Sequence, residues 1–131
     1  MRVSRIENDG FEPSPICLPD REEPEVGQTC FVAGWGLLSE MGPLAQQLNE
    51  VDLKVADLGT CKTWYGTYYS KREIFTDGRN MCAGEKYGGK DICLGDSGGP
   101  LMCQRKDNCD WYIAGIVSWS YKCGKTFGIY R

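Results

Sequence analysis

The chain has 131 residues, 41% of them hydrophobic, which is enough for one modest core. Its formal net charge of −3 argues against nucleic acid or an anionic membrane surface as the main partner. No apolar run approaches the roughly 20 residues of a membrane-spanning helix, and there are no repeats or low-complexity tracts.

In chain order, residues 1–27 read as an extended crossing segment, with Pro13, Pro15, Pro19 and Pro24 and a charged stretch from Asp20 to Glu25. Asn8-Asp9-Gly10 within it reads as a turn. Val51, Leu53 and Val55 alternate with Asp52 and Lys54, the period of a half-buried strand. Asp57 is placed to cap a short helix running through Cys61 and Trp64. A turn at Lys106-Asp107-Asn108 precedes the apolar, β-rich run Ile113 to Trp119. The 17 glycines and the many short apolar stretches together suggest an all-β fold rich in turns.

Eight cysteines in so short a chain point to an oxidising compartment. Secretion requires a signal peptide, yet Met1 to Gly10 is charged and polar with no apolar centre. The expectation is that Met1 is not the natural start and that the signal lies upstream. A zinc site is disfavoured because there is no Cys-x-x-Cys and no histidine. Spacing alone does not choose among the roughly one hundred pairings open to eight cysteines. Gly84 to Asp91 nearly spells a phosphate-binding loop, but Asp91 stands where the magnesium-binding hydroxyl belongs and sets negative charge against the phosphate.

The segment with the most chemistry is Gly95-Asp96-Ser97-Gly98-Gly99-Pro100. A serine hydroxyl attacks a carbonyl only when a base takes its proton. The tetrahedral intermediate then needs N–H groups aimed at its oxyanion. Glycine at 95 permits a backbone conformation that presents its N–H beside that of Ser97. Gly98 and Gly99 leave room above the serine, and Pro100 stiffens the exit into a strand at Leu101-Met102-Cys103. The chain contains no histidine, so the serine has no imidazole base among its own residues. A lysine base from Lys90 or Lys122 is a remote alternative.

The run from Asn80 to Cys103 resembles the active-site segment of trypsin-like serine proteases. Pro15-Ile16-Cys17-Leu18-Pro19 resembles the crossing between their two barrels, and Cys30 to Gly36 the first strand of their second barrel. Ile116-Val117-Ser118-Trp119 resembles the strand lining their substrate cleft. The resemblance implies an antiparallel Greek-key β-barrel over residues 28–131, with 1–27 as the inter-barrel crossing. It is the second half of the family's domain, truncated at both ends, and lacks the closing C-terminal helix after Thr126 to Tyr130.

By this resemblance Ser97 is the nucleophile, Gly95 supplies an oxyanion N–H, and Asp96 pairs with the new amino terminus formed on zymogen cleavage. Asp91 lies at the base of the primary pocket, where it would hold an Arg or Lys side chain. Ile92, Ser118, Trp119, Ser120 and Gly128 line the substrate cleft. Three features depart from the family pattern: Ile92 replaces a small or hydroxyl residue, Ser120 a glycine, and the stretch from Cys123 to Gly128 is short. Implied disulfides are Cys30–Cys103, Cys61–Cys82 and Cys93–Cys123. Cys17 and Cys109 stay open between pairing with each other and pairing with an upstream cysteine.

The implied function is a secreted endopeptidase cleaving after Arg or Lys, with no cofactor and no metal. Its partners would be protein or peptide substrates, protease inhibitors, and a first barrel carrying the triad histidine and aspartate. Residues 1–131 alone are expected to show negligible peptidase activity. The competing reading is a non-catalytic binding module, a pseudoprotease or truncated isoform that captures a partner.

Overall fold

The computed structural model describes residues 14–19, 23–68, 75, 78–107 and 110–131. The readings of Asn8-Asp9-Gly10, Asn108 and Cys109 lie outside these residues. Six strands close into one antiparallel barrel: β1 (Thr29–Gly34), β2 (Asn49–Ala56), β3 (Met81–Ala83), β4 (Pro100–Gln104), β5 (Trp111–Ser120) and β6 (Gly128–Tyr130). Helix α1 (Leu58–Tyr68) lies between β2 and β3.

Each element forms for a local reason. In β2, Leu53 and Val55 are buried while Asp52 and Lys54 are exposed, so alternation selects the inward face. Helix α1 starts where Asp57 Oδ2 accepts the Thr60 N–H at 2.6 Å, which satisfies one of the donors a helix start leaves unpaired. Those N–H groups hold the Asp57 carboxyl below its usual range. The turn after β4 is closed by Arg105 N–H donating to the Asp110 carbonyl at 2.8 Å.

Barrel order is β1-β2-β3-β6-β5-β4. The chain leaves β3 and re-enters at β4, which is not its neighbour in this order, and this crossing carries residues 84–99. The crossing is the Greek-key step, and it sets Asp91, Asp96 and Ser97 on the end of the barrel. The extended segment at Cys17 pairs with the start of β5: Cys17 N–H donates to the Trp111 carbonyl and Ile113 N–H to the Cys17 carbonyl, both at 3.0 Å.

Inside the barrel, Val32, Leu53, Leu101, Tyr112, Val117 and Tyr130 form the core with Ile92. Each such side chain contributes roughly 1.5–3 kcal/mol when fully buried. A second cluster joins α1 to the barrel through Cys61, Tyr65, Cys82, Phe127 and Ile129. There the Tyr65 hydroxyl donates to the Phe127 carbonyl at 2.5 Å and accepts the Tyr121 N–H at 3.3 Å. The helix thereby props the segment between β5 and β6. Disulfides Cys30–Cys103, Cys61–Cys82 and Cys93–Cys123 all form, as the resemblance implies.

Candidate active site

Ser97 sits exposed in the crossing between β3 and β4. The loop is fixed from several sides. Asp96 N–H donates to the Cys93 carbonyl at 3.1 Å and Gly99 N–H to the Asp96 carbonyl at 3.0 Å, closing two tight turns around the serine. Gly98 N–H donates to the Val117 carbonyl at 2.9 Å and Val117 N–H to the Gly99 carbonyl at 2.8 Å, pinning the loop to β5. Gly95 has φ of +98°, a region closed to residues with a Cβ. Among the described residues, neither the Gly95 N–H nor the Ser97 N–H has a protein acceptor. Two adjacent free donors beside a hydroxyl are what an oxyanion requires.

The Asp96 carboxylate is held by two backbone donors. Its Oδ1 accepts the Gly36 N–H and its Oδ2 the Cys93 N–H, both at 2.9 Å. The carboxylate fits because Gly34 and Gly36 lack side chains: a Cβ at Gly34 would lie 2.1 Å from Oδ1. A cavity of about 140 Å³ opens beside it, lined by Gly34, Gly36, Leu37, Val51, Asp91 and Asp96.

Asp91 is the most perturbed carboxyl with a resolved shift. Burial pushes it up to about 7, and the nearby Asp96 carboxylate adds to the rise. Three donors oppose the shift: Ile92 N–H to Oδ1 at 2.7 Å, Gly124 N–H to Oδ2 at 3.1 Å, and the Ser120 hydroxyl. The Cys93–Cys123 disulfide ties the two sides of this site together. Ile92 is only 2% exposed and packs on Gly128, where an added Cβ would lie 3.1 Å from its Cδ1. The Tyr130 hydroxyl is buried against the same glycine, 2.9 Å from that Cβ position. It has no hydrogen-bond partner among the described residues, and burial keeps it protonated far above the usual phenol range.

A family model described as Trypsin matches residues 2–131. This chain belongs to the trypsin family. It is 40% identical over 111 residues to rat transmembrane protease serine 9, covering 85% of this chain and 10% of that protein. It is 39% identical over 118 residues to human mannan-binding lectin serine protease 1, covering 88% of this chain and 16% of that protein. Mouse ovochymase-2 is 39% identical over 114 residues, covering 86% of this chain and 18% of that protein. The chain therefore spans less than a fifth of each of these relatives.

Within this trypsin-family barrel, the residues singled out from sequence fall into one neighbourhood, though not all face the same space. Ser97, Gly95, Asp96 and Asp91 lie on the one crossing. Ser118 sits at the irregularity between Val117 and Trp119, where β5 shifts register against β6. The Trp119 ring meets Tyr65 edge-on at 5.0 Å, so it is anchored by the helix cluster. Ile92 turns inward to the barrel core. Lys90 is paired with Asp52, and the Lys122 Nζ lies over the Tyr121 ring at 5.9 Å, so both lysines have other partners than Ser97.

Sequence reading overlooked Gly36, Gly124 and Tyr130. The first two act through backbone N–H groups, which leave no residue-type signature beyond the glycine itself. Tyr130 entered the sequence reading only as the end of the stretch from Thr126 that precedes the expected C-terminal helix. Cys17 is an exposed free thiol.

Proposed function

We propose that this chain is the nucleophile-bearing half of a secreted trypsin-like serine endopeptidase that cleaves after basic residues by acyl transfer. The observation that supports this best is the pair of unused N–H groups at Gly95 and Ser97 flanking an exposed hydroxyl. In this reading residues 28–131 are the second barrel and residues 1–27 the crossing to a first one. The Ser97 oxygen attacks the scissile carbonyl, and the Gly95 and Ser97 N–H groups take up the charge on its oxygen. The proton of Ser97 goes to a base outside these residues, since the chain holds no histidine.

Asp96 has a second role in this reading. Its two N–H bonds leave about two of the four acceptor sites of a carboxylate, and the adjoining cavity leads to them. An α-ammonium group entering there would complete the carboxylate and hold the oxyanion loop in place. Asp91 receives the basic side chain of the substrate. The three disulfides fit an extracellular setting.

The test is hydrolysis of a fluorogenic arginyl peptide amide. The 131-residue chain alone is expected to give no turnover above buffer. Supplying a histidine-bearing first barrel is expected to restore turnover, and Ser97→Ala to lower it by about 10⁶-fold. Turnover by the isolated chain that vanishes in Ser97→Ala would contradict the need for an external base. The absence of histidine favours one other reading, a binding module. Saturable binding of an arginyl peptide with no turnover after the first barrel is supplied would assign that role.

A further inference from the structure

The loop that leads into Asp91 also reaches it from across space, through Gly124. The Gly124 N–H donates to Asp91 Oδ2 at 3.1 Å, and the Gly124 carbonyl accepts the Gly89 N–H at 3.0 Å. One residue is thus bonded both to the carboxylate and to a glycine just before it in the chain. The approach is closest at Gly88. A Cβ there would lie 2.3 Å from the Gly124 carbonyl oxygen and 3.0 Å from Lys125 Cα. Both are backbone atoms, so no flexible side chain can swing aside to make room. Gly88 and Gly89 have φ of +81° and +119°, which favours glycine at both. The Gly88 N–H closes this turn on the Glu85 carbonyl at 3.1 Å. On the other side, the wall segment is anchored before and after Gly124: Cys123 is bonded to Cys93, and the Tyr65 hydroxyl donates to the Phe127 carbonyl. A methyl group at Gly88 must therefore move Gly124 between these anchors, and its N–H with it.

Resting on the reading of Asp91 as the specificity carboxylate, we propose that Gly88 and Gly89 are positioning residues for the primary pocket: they seat Gly124 so that its N–H meets the Asp91 carboxylate. The effect passes through Gly124 and not along the chain through Lys90. An N–H bonded to a carboxylate favours the charged form, so this seat governs how readily Asp91 meets a cationic side chain. Burial holds the Asp91 carboxyl at about 7, so near neutral pH the loss of one donor has a large effect on the ionised fraction. The charged groups on the two segments are Glu85, Lys86 and Lys90 on one side and Lys122 and Lys125 on the other. Lys90 is paired with Asp52, and Lys122 lies over the Tyr121 ring. Asp96 raises the carboxyl further, and Tyr130 stays neutral.

The test follows the Asp91 carboxyl by carbon NMR in the 131-residue chain with its disulfides formed. Gly88→Ala is expected to raise its titration midpoint by about one pH unit, the scale of one hydrogen bond to a charged group. Gly27→Ala is the control: Gly27 has φ of +87° with nothing within 4 Å of its Cβ position, so it carries the same backbone strain and pushes no neighbour. It is expected to leave the midpoint where it was. Benzamidine, whose planar head carries two donors for a carboxylate, reads the consequence for binding. A rise of one pH unit leaves about a tenth of the carboxyl ionised at pH 7 in place of about half. Benzamidine affinity in Gly88→Ala is therefore expected to fall about fivefold there and to recover by about pH 9.5. Asp91→Asn is expected to abolish its binding.

An unmoved midpoint in folded Gly88→Ala would overturn the proposal and leave the Cys93–Cys123 disulfide as what seats Gly124. An equal rise in Gly27→Ala, or a loss of benzamidine affinity that is the same at every pH, would also overturn it, since either marks a general structural effect. If Gly88→Ala does not fold, the unaltered chain still decides. Raising the pH through the Asp91 midpoint is expected to move the Gly124 and Gly89 amide signals together and to leave that of Gly27 still. A Gly89 signal that stays flat while Gly124 titrates would refute the coupling. Failure of the specificity reading is seen separately: benzamidine that binds Asp91→Asn as well as the unaltered chain would remove Asp91 from recognition, while the carboxyl midpoints continue to report how Gly124 is seated.

Discussion

The Asp91 side chain links folding to pH around neutrality. Its carboxyl titrates near about 7 in the fold and near about 3.9 in an unfolded chain. Between these values the folded state binds the extra proton, so stability is greatest at the acid end and falls as pH rises through neutrality. Three units are worth at most about 4 kcal/mol, and partial solvent access at Asp91 brings the expected change to about 2 kcal/mol. Urea midpoints should therefore drop between mildly acid and mildly alkaline pH, and Asp91→Asn should flatten that drop. Asp96 is held differently, by backbone donors and missing side chains. A Cβ at Gly36 would lie 2.5 Å from the Asp96 carboxylate, so Gly36→Ala must expel a carboxylate from two N–H donors. The expected cost is about 2–3 kcal/mol in a denaturant melt, and Asp96→Ala in the same chain should relieve part of it. The residue identities at this site were legible, because Gly95 to Pro100 has few other uses. The Gly124 N–H bond to Asp91 was not, because it depends on how close the segment after β5 comes to that carboxylate.

Elements were legible where a local cause decides them. The alternation in β2 and the cap at Asp57 each need only a few neighbouring residues, and both appear as read. Asp57→Ala is expected to fray the start of α1, seen as faster amide exchange at Thr60 with little change in the barrel strands. The cap also weakens in acid: N–H donors hold the Asp57 carboxyl below its usual range, so their contribution is lost as pH falls through that lowered value. What propensity could not give was the use of α1. Its value to the site comes from Tyr65, which reaches across to the Phe127 carbonyl and the Trp119 ring. Those partners lie far along the chain, beyond any local window. The short β3 and β6 are likewise set by pairing, with Cys82 opposite Ile129, more than by their own composition.

At the scale of the whole molecule, the closed barrel came from resemblance and not from periodicity. Alternating strands argue for a sheet, but nothing in their period says that β1 will meet β4. That contact brings Cys30 opposite Cys103, residues 73 apart in sequence. Replacing both by alanine is expected to cost roughly 4 kcal/mol of stability, against roughly 3 kcal/mol for the Cys61–Cys82 pair with its separation of 21. Thermal melts of the two double variants under oxidising conditions give the comparison. Among the described residues no helix is long and apolar enough to cross a membrane.

The spans of two crosslinks overlap, and this has a consequence for survival among proteases. Cys30–Cys103 brackets the first stretch, and Cys93–Cys123 begins inside that bracket and ends beyond it. A single backbone cut anywhere between Cys30 and Cys123 therefore leaves two pieces that cannot diffuse apart. A nicked molecule runs as one band without reductant and as two with it, and the ends of the cut loop stay within reach of each other.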